Sequence, residues 1–345
     1  MLKANYYQYI LNFKRPSGTS RGILKTKETW FLILEENGKK GVGECGILRI
    51  LSIDDTPQYE EKLKWVCENI HLGLENLLLQ LIEYPSIQFG LEQAFLSLKS
   101  KSMFDLFPSE FVDGKQNIPI NGLIWMGEKN FMKAQIKEKI AAGFSCIKMK
   151  IGAIDFATEL ELLQSIRKEF SASEIELRVD ANGAFSPSNA LEKLQRLSEL
   201  DLHSIEQPIK QDQWQEMASL CEKTPLPIAL DEELIGVFSY KEKQKCIQTI
   251  NPQYIILKPS LIGGFKGSTD WVEIVNNQSI GWWITSALES NVGLNAISQF
   301  TYTLQNSMPQ GLGTGGLFTN NFDSPLTVQE GALFYDIQKK WNFTI

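Results

Sequence analysis

The chain has 345 residues, 43% of them hydrophobic, and its net charge is −7. This length allows a large core and favours one big domain with a smaller one. The acidic balance, without any basic block, argues against nucleic acid and anionic membrane surfaces as partners. No apolar run is long enough to span a bilayer and no signal-peptide pattern opens the chain, so we expect a cytoplasmic protein. Five scattered cysteines without a CxxC pair disfavour a zinc site and a disulfide framework.

The first third of the sequence has the pattern of an α+β module. Residues 28–35 and 40–44 are predicted strands on either side of an Asn37-Gly38 turn, which is typical of a β-hairpin. Residues 58–83 and 87–104 have the apolar spacing of helices. We therefore predict an antiparallel sheet followed by helices.

From residue 118 onward, short apolar runs alternate with amphipathic helical runs. Regular alternation predicts a parallel sheet, and seven strand–helix units with a last strand fit a closed barrel. The predicted strands are 118–124, 145–151, 175–181, 203–207, 228–232, 254–258, 282–288 and 310–314. The predicted fold class is α/β, a (β/α)7β modified TIM barrel over residues 116–319. An α+β capping domain, residues 1–115, precedes the barrel and is completed by residues 320–345.

An open doubly wound sheet is the alternative architecture. Its strands lie in a row, so it would not gather charged strand ends around one point. Six of the predicted strands end in charged residues, at positions 150, 180, 206, 231, 258 and 289. In a barrel, the carboxyl ends of the strands form the face that holds the active site. This pattern therefore favours the barrel.

Lys148 and Lys150 stand two residues apart on one predicted strand, so both side chains should point into the barrel. Two lysines in a buried strand are costly unless they are paired with charge or used. Each should lower the pKa of the other, as a lysine base near neutral pH requires. We therefore interpret this pair as functional.

Asp180, Glu206 and Asp231 follow three successive predicted strands at nearly equal intervals. Singly, each is more simply a helix cap or a surface ion pair. Jointly, they form the oxygen-donor set that Mg²⁺ prefers, with Mn²⁺ as the other candidate. Lys258 would face Lys148 and Lys150 across the barrel mouth. The arrangement suits removal of a proton α to a carboxylate, with the metal stabilising the resulting enediolate.

Two glycine-rich segments imitate nucleotide-binding loops. Residues 41–46 satisfy GxGxxG, but no helix start follows, so we interpret them as part of a hairpin. Residues 311–316 follow the last predicted strand and lack the Lys-Ser/Thr pair of a P-loop. Neither segment therefore predicts a nucleotide site.

In order and spacing, these motifs resemble those of the enolase superfamily, of the muconate-lactonizing-enzyme type. They are the KxK of 148–150, the DxN of 180–182, the EQP of 206–208, the LDE of 230–232 and the KP of 258–259. Within the superfamily, the chain resembles the o-succinylbenzoate synthase family of menaquinone biosynthesis. That narrower resemblance is in residues 18–22, 43–44, 51–55 and 286–293.

The resemblance implies a magnesium-dependent lyase that performs the syn-dehydration of 2-succinyl-6-hydroxy-2,4-cyclohexadiene-1-carboxylate to 2-succinylbenzoate. It implies that Lys150 is the general base and then the acid, that Lys258 steadies the enediolate, and that Lys148 adjusts Lys150. The implied substrate contacts are Thr285, Ser286, Gly311 and Gly313, and the residues expected to support the site are Asn182, Arg178, Glu232 and Glu289. Strand alternation should point Glu232 away from the metal.

The capping module contributes a further expectation. A Gly/Ser-rich loop with Ser20 and Arg21, together with the stretch around Leu51-Ser52, should close over the barrel mouth and bind substrate.

Two alternatives remain open. The first is an N-acyl amino acid racemase or dipeptide epimerase on the same scaffold; dipeptide epimerases carry an acidic DxD after the last strand, where this chain has residues 311–314 without an acid. The second is a barrel kept only as a binding scaffold, which would have no reason to keep all six charged residues. The acyl substrate and the oligomeric state are not predicted.

Overall fold

The computed structural model describes residues 1–19, 22–125 and 127–345. Strands β1 (Lys3–Thr19), β2 (Gly22–Glu36) and β3 (Lys39–Gly46) form an antiparallel sheet in that order. The predicted hairpin is present: Asn37 and Gly38 have φ angles of 52° and 79°, the left-handed pair that a two-residue turn needs. The sequence did not predict β1, because polar residues break its apolar alternation.

Three helices cover one face of this sheet: α1 (Tyr59–Glu68), α2 (Leu74–Gln80) and α3 (Pro85–Lys99). We call β1 to β3 with α1 to α3 the N-terminal module. The predicted helical stretch 58–83 is divided, since α1 ends at Glu68 and α2 begins only after Gly73, whose φ is 78°. Helix α3 packs closely on β3, and a Cβ on Gly43 would clash with the carbonyl oxygen of Gly90. Gly41 and Gly43 of the GxGxxG segment therefore serve strand–helix packing.

The rest of the chain alternates strand and helix. The strands are β4 (Ile118–Pro119), β5 (Gly122–Ile124), β6 (Cys146–Lys150), β7 (Glu176–Asp180), β8 (Ser204–Glu206), β9 (Ile228–Leu230), β10 (Tyr254–Leu257) and β11 (Gly281–Ile284). The helices are α4 (Lys129–Ala141), α5 (Phe156–Glu169), α6 (Pro187–Ser198), α7 (Trp214–Lys223), α8 (Tyr240–Ile250), α9 (Pro259–Ile262), α10 (Gly264–Asn276) and α11 (Asn291–Thr303). Strands β5 to β11 form one parallel sheet in sequence order. The α/β architecture predicted from the alternation is thus present.

The eighth barrel position is held by two residues and not by the predicted strand 310–314. Gln310 bridges to Ile120 and Gly311 bridges to Thr285, both in parallel fashion, so they connect the two ends of the sheet. The buried Gln310 side chain strengthens this closure, because it accepts from the Ile284 N–H at 2.7 Å. The barrel therefore closes through single bridges.

The C-terminal segment contacts both parts of the molecule. Strands β12 (Leu326–Gln329) and β13 (Ala332–Tyr335) form a hairpin, and β13 pairs with β4. Beyond them, Trp341 stacks on Phe104 with ring centroids 3.9 Å apart, and Phe343 lies against Phe31. Among the described residues, no helix has the length and apolar character needed to cross a membrane.

Candidate active site

The register of the parallel strands brings the charged strand ends side by side. Lys150 pairs with Asp180, and Asp180 pairs with Glu206, in adjacent strands. Lys148 lies one layer lower, opposite Arg178. Because side chains two residues apart share a face, Lys148 and Lys150 both enter the barrel.

Lysines and carboxylates alternate in the site. The Lys148 Nζ donates to Glu206 Oε2 at 2.7 Å and to Asp180 Oδ2 at 3.2 Å. The Lys150 Nζ donates to Asp180 Oδ2 at 2.8 Å and to Asn182 Oδ1 at 2.7 Å. Lys258 forms a close ion pair with Asp231. The structure thus brings together all six residues that the sequence predicts as bases and metal ligands.

Glu232 lies closer to the site than strand alternation predicts. Strand β9 ends at Leu230, and Asp231 has φ −127° and ψ −79°, outside the strand conformation. Glu232 starts a short 3-10 turn, accepts a hydrogen bond from Asn182 Nδ2 at 3.0 Å and lines the cavity. The alternation rule fails here because the chain leaves the sheet one residue too early.

Charge pairing in a buried place determines the pKa values of the carboxylates. Burial alone would raise the pKa of Asp180, but Lys150 and Lys148 outweigh it and hold that pKa well below its usual range. Burial would also raise the pKa of Asp231, but the charge of Lys258 outweighs burial and lowers that pKa overall. Glu206 differs, because burial and the Asp180 carboxylate together raise its pKa well above the usual value.

The pKa of Lys148 is not lowered, in contrast to the prediction from the sequence. Burial would lower the pKa of Lys148, but Glu206 and Asp180 raise it overall. Asp231 and Glu206 likewise raise the pKa of Lys258 against the effect of burial. The expected lysine–lysine effect is therefore outweighed in Lys148 by carboxylates that contact its ammonium directly.

The carboxylates have the donor chemistry for a hard cation. In the described part of the chain, no three His, Cys, Asp or Glu side chains converge closely enough to hold a metal ion as they stand. The ammonium group of Lys148 lies between Asp180 and Glu206 and joins them. Oε1 of Glu206 is buried without a hydrogen-bond partner among the described residues, as a ligand oxygen would be. Asp180, Glu206 and Asp231 therefore fit a Mg²⁺ ion in type and charge.

These groups open into a cavity of about 340 Å³. Its floor is polar and includes Lys148, Lys150, Asp180, Asn182 and Lys258. Its walls are mainly apolar, and the wall residues are Ile23, Leu24, Leu48, Ile50, Leu51, Leu123, Trp125, Phe144, Leu288 and Leu317. Sequence reasoning found the floor but not most of the walls, because apolar loop residues have no signature in sequence.

All four residues that the resemblance implies as substrate contacts line this cavity. The Gly311 N–H, however, donates to the Ile284 carbonyl at 2.8 Å, and the Ser286 N–H donates to the Gly311 carbonyl at 3.1 Å. Those two N–H groups close the barrel. The Thr285 hydroxyl is different, since its oxygen is buried and has no hydrogen-bond partner among the described residues. Ser286 Oγ pairs with Thr314 Oγ1 at 2.6 Å.

The remaining predicted residues divide into three groups. Arg178 lies below the carboxylates, donates to Glu176 and stacks on the Trp283 ring at 4.2 Å, so it supports the barrel floor. Glu289 is buried behind the cavity wall, where it accepts from the Ser260 hydroxyl. Ser20 and Arg21 lie outside the described residues.

Comparisons with known proteins agree with this geometry. Residues 131–335 match the family described as enolase C-terminal domain-like, and residues 1–98 match the MenC N-terminal domain. The chain is 46% identical to an o-succinylbenzoate synthase of Desulfotalea psychrophila, over 96% of this chain and 98% of that protein. The crystal structure of MenC from that organism superposes with a TM-score of 0.86 at 43% identity, covering 96% of this chain and 99% of that one.

More distant relatives are similar in fold or in sequence. A muconate lactonizing enzyme of Pseudomonas fluorescens has a TM-score of 0.85 at 18% identity and covers 99% of this chain and 96% of its own. An N-succinylamino acid racemase of Thermus thermophilus is 28% identical over 80% of this chain and 75% of its own length. The predicted (β/α)7β-barrel class and the predicted resemblance are both confirmed. The chain belongs to the o-succinylbenzoate synthase family of the enolase superfamily.

Proposed function

We propose that this chain is a carbon–oxygen lyase that dehydrates 2-succinyl-6-hydroxy-2,4-cyclohexadiene-1-carboxylate to 2-succinylbenzoate. The observation that supports it best is the floor of the cavity, where the buried Lys148 and the half-buried Lys150 and Lys258 contact three buried carboxylates under apolar walls. The floor suits a substrate carboxylate beside a metal ion, and the walls suit its six-membered ring. The ligand is then a small-molecule carboxylate, neither nucleic acid nor membrane, and the setting is the cytoplasm.

Asp180, Glu206 and Asp231 would hold the metal ion, Mg²⁺ or alternatively Mn²⁺. Members of the enolase superfamily use Mg²⁺ with a lysine or histidine base. Once bound, the ion would stabilise the negative charge that develops on the substrate carboxylate.

The lysines then have separate tasks. Lys150 lies at the end of β6, and its ammonium is already held by Asp180 and Asn182. Once neutral, it removes the proton α to the carboxylate and returns it to the departing hydroxyl, which leaves as water. In a syn elimination both groups leave from one face, so one lysine suffices. Lys258 stays charged and stabilises the enediolate, while Lys148 keeps the carboxylates in place.

Donors on the barrel and the N-terminal module complete the substrate site. The unpartnered hydroxyl of Thr285 is placed to donate to a substrate carboxylate, with Ser286 and Gly313 beside it. Arg21 and Ser20, which stand between β1 and β2 in the sequence, would add further contacts. Leu48 and Leu51 line the same cavity from the N-terminal module, which supports a closing role for this stretch.

Direct assay tests the proposal. The cyclohexadiene substrate should be dehydrated only with added Mg²⁺ or Mn²⁺, and a panel of N-succinyl amino acids should be racemised far more slowly. Full dehydration in excess EDTA contradicts the metal role. Faster racemisation than dehydration would move the chain to the racemase alternative, whose relatives are below 30% identity here.

A further inference from the structure

Behind Lys258 lies a buried group of charges where the N-terminal module meets the barrel. Lys27 and Glu44 come from β2 and β3, and Glu289 comes from the loop between β11 and α11. Lys27 is 4% exposed, and both carboxylates are fully buried. Buried charges of this kind are costly unless they are paired, so their retention needs a reason.

Glu44 ties the module to helix α11. Its Oε1 accepts from the Ser290 N–H at 2.9 Å, and its Oε2 accepts from the Ser290 hydroxyl at 2.5 Å and from the Gly293 N–H at 2.8 Å. The first N–H groups of a helix have no partner inside the helix, so a carboxylate there is stabilising. This helix is thus capped by a residue nearly 250 positions away in sequence.

Glu289 ties the same region to Lys258. Its Oε1 accepts from the Ser260 hydroxyl at 2.6 Å. Ser260 belongs to α9, the turn that begins just after Lys258, where the Leu261 N–H donates to the Lys258 carbonyl at 2.8 Å. A shift of Glu289 would therefore move the turn that directly follows Lys258.

Two buried atoms of this group have no hydrogen-bond partner among the described residues: the Nζ of Lys27 and the Oε2 of Glu289. Lys27 forms an ion pair of 4.0 Å with Glu44. Burial raises the pKa of Glu289, and the charge of Lys27 opposes that rise. Lys27 is thus a buried cation that pairs with Glu44 and whose charge also acts on Glu289.

The loop that Glu289 anchors is strained at the cavity wall. Leu288 has φ 61°, a left-handed conformation that leucine rarely adopts, and its side chain lines the cavity. Such backbone strain persists only where the surroundings hold it, and here Glu289 and Ser290 are both anchored. The same link therefore supports a wall of the cavity as well as Lys258.

We propose that Lys27 and Glu289 are positioning residues that set the place of Lys258 through Ser260. Lys27, ion-paired with Glu44 at 4.0 Å, compensates the buried negative charge at this interface, and Glu289 holds the turn after Lys258 through Ser260. The inference rests on the proposed function, in which Lys258 stabilises negative charge on the enediolate. If this inference holds, the N-terminal sheet affects the rate of the reaction through the position of Lys258, in addition to lining the cavity.

Kinetics of Ser260→Ala, Lys27→Met and the double variant test this link. We expect each single variant to lower kcat for dehydration about 10-fold, since small displacements of a catalytic group are costly. KM should stay within about twofold, because Lys258 acts mainly on the transition state. The double variant should be no slower than the slower single variant, because both changes interrupt one path.

Ser268→Ala is the matched control, since Ser268 is equally buried and donates within α10 to the Gly264 carbonyl. It should keep the wild-type kcat. All variants are assayed well below their melting temperatures. Unchanged kcat in both single variants, or single effects that multiply in the double variant, overturns the inference.

A wild-type protein without dehydration activity contradicts the proposed function instead. Crystal structures of Ser260→Ala and the wild type then decide the positioning role separately. The inference predicts that the Lys258 ammonium leaves Asp231 in the variant, and an unmoved Lys258 rejects it.

Discussion

Asp180 has the largest number of contacts among the three carboxylates of the site, since both Lys148 and Lys150 donate to it. Asp180→Asn removes one ligand charge, so the variant should lose several kcal/mol of transition-state stabilisation, on the order of 1000-fold in kcat. Steady-state assays measure the loss of kcat, and titration calorimetry measures the accompanying loss of Mg²⁺ affinity. Asp201→Asn, at an exposed acid, should change neither. If Asp180→Asn binds Mg²⁺ as tightly as the wild type, Asp180 is not a metal ligand.

Lys150 and Lys258 should respond differently to substitution. Lys150→Ala removes the base, so dehydration should fall by orders of magnitude. Lys258→Arg keeps the positive charge but cannot give up a proton, so it should keep part of the dehydration and lose any racemisation. Dehydration assays beside deuterium exchange on an N-succinyl amino acid separate these outcomes. Equal loss of both activities in a correctly folded Lys258→Arg would make Lys258 a proton carrier.

At the scale of elements, a carboxylate of the N-terminal module also caps a barrel helix. Glu92 of α3 accepts from the Phe265 N–H at 2.5 Å and the Lys266 N–H at 2.9 Å, at the start of α10. Burial raises the pKa of Glu92 to about 7, although both N–H groups oppose the rise. Between about pH 4.5 and pH 7, Glu92 therefore keeps its proton in the folded protein, whereas in the unfolded chain the same side chain has lost it.

The pH dependence of stability follows from that shift. The raised pKa of Glu92 adds to the free energy of unfolding by up to about 3 kcal/mol. This contribution is fully present below about pH 4.5 and is lost as the pH rises through 7. Glu92→Gln should remove this part of the dependence. Denaturant unfolding at pH 5 and pH 8 measures it, and the constant cost of the substitution cancels in the comparison. Glu83→Gln, an exposed position, should leave the dependence as it is in the wild type.

At the scale of the whole molecule, we propose that residues 320–345 complete the capping domain. Phe322, Trp341 and Phe343 pack with Phe31 and Phe104 in one aromatic cluster. Trp341→Ala should therefore lower the free energy of unfolding by about 2 to 4 kcal/mol. Chemical denaturation measures this, and Ile337→Ala, at a residue 68% exposed, should stay within about 0.5 kcal/mol of wild type. If Trp341→Ala lowers the free energy of unfolding no more than Ile337→Ala does, residues 320–345 are not part of the capping domain.

Apolar periodicity determined much of the molecule without any tertiary information. Strands β6 to β10 lie within their predicted ranges and β11 starts one residue before its range, because a parallel strand buried on both faces has the pattern of a short apolar run. The charged residues at the ends of the strands before β11 meet in space because the barrel fixes where each strand ends, whereas Glu289 lies behind the cavity wall. The six lysines and carboxylates of the site were therefore readable from order and spacing.

Tertiary structure decided what depends on neighbours far along the chain. The eighth strand is replaced by bridges at Gln310 and Gly311, because closure depends on two strand ends that lie far apart in sequence. The pKa of Lys148 is raised and not lowered, since the nearest charges are carboxylates from β7 and β8. The helix caps from Glu44 and Glu92 could not be predicted, because each joins groups at least 170 residues apart. Local pattern determines elements, whereas burial and charge in the assembled molecule determine how the side chains behave.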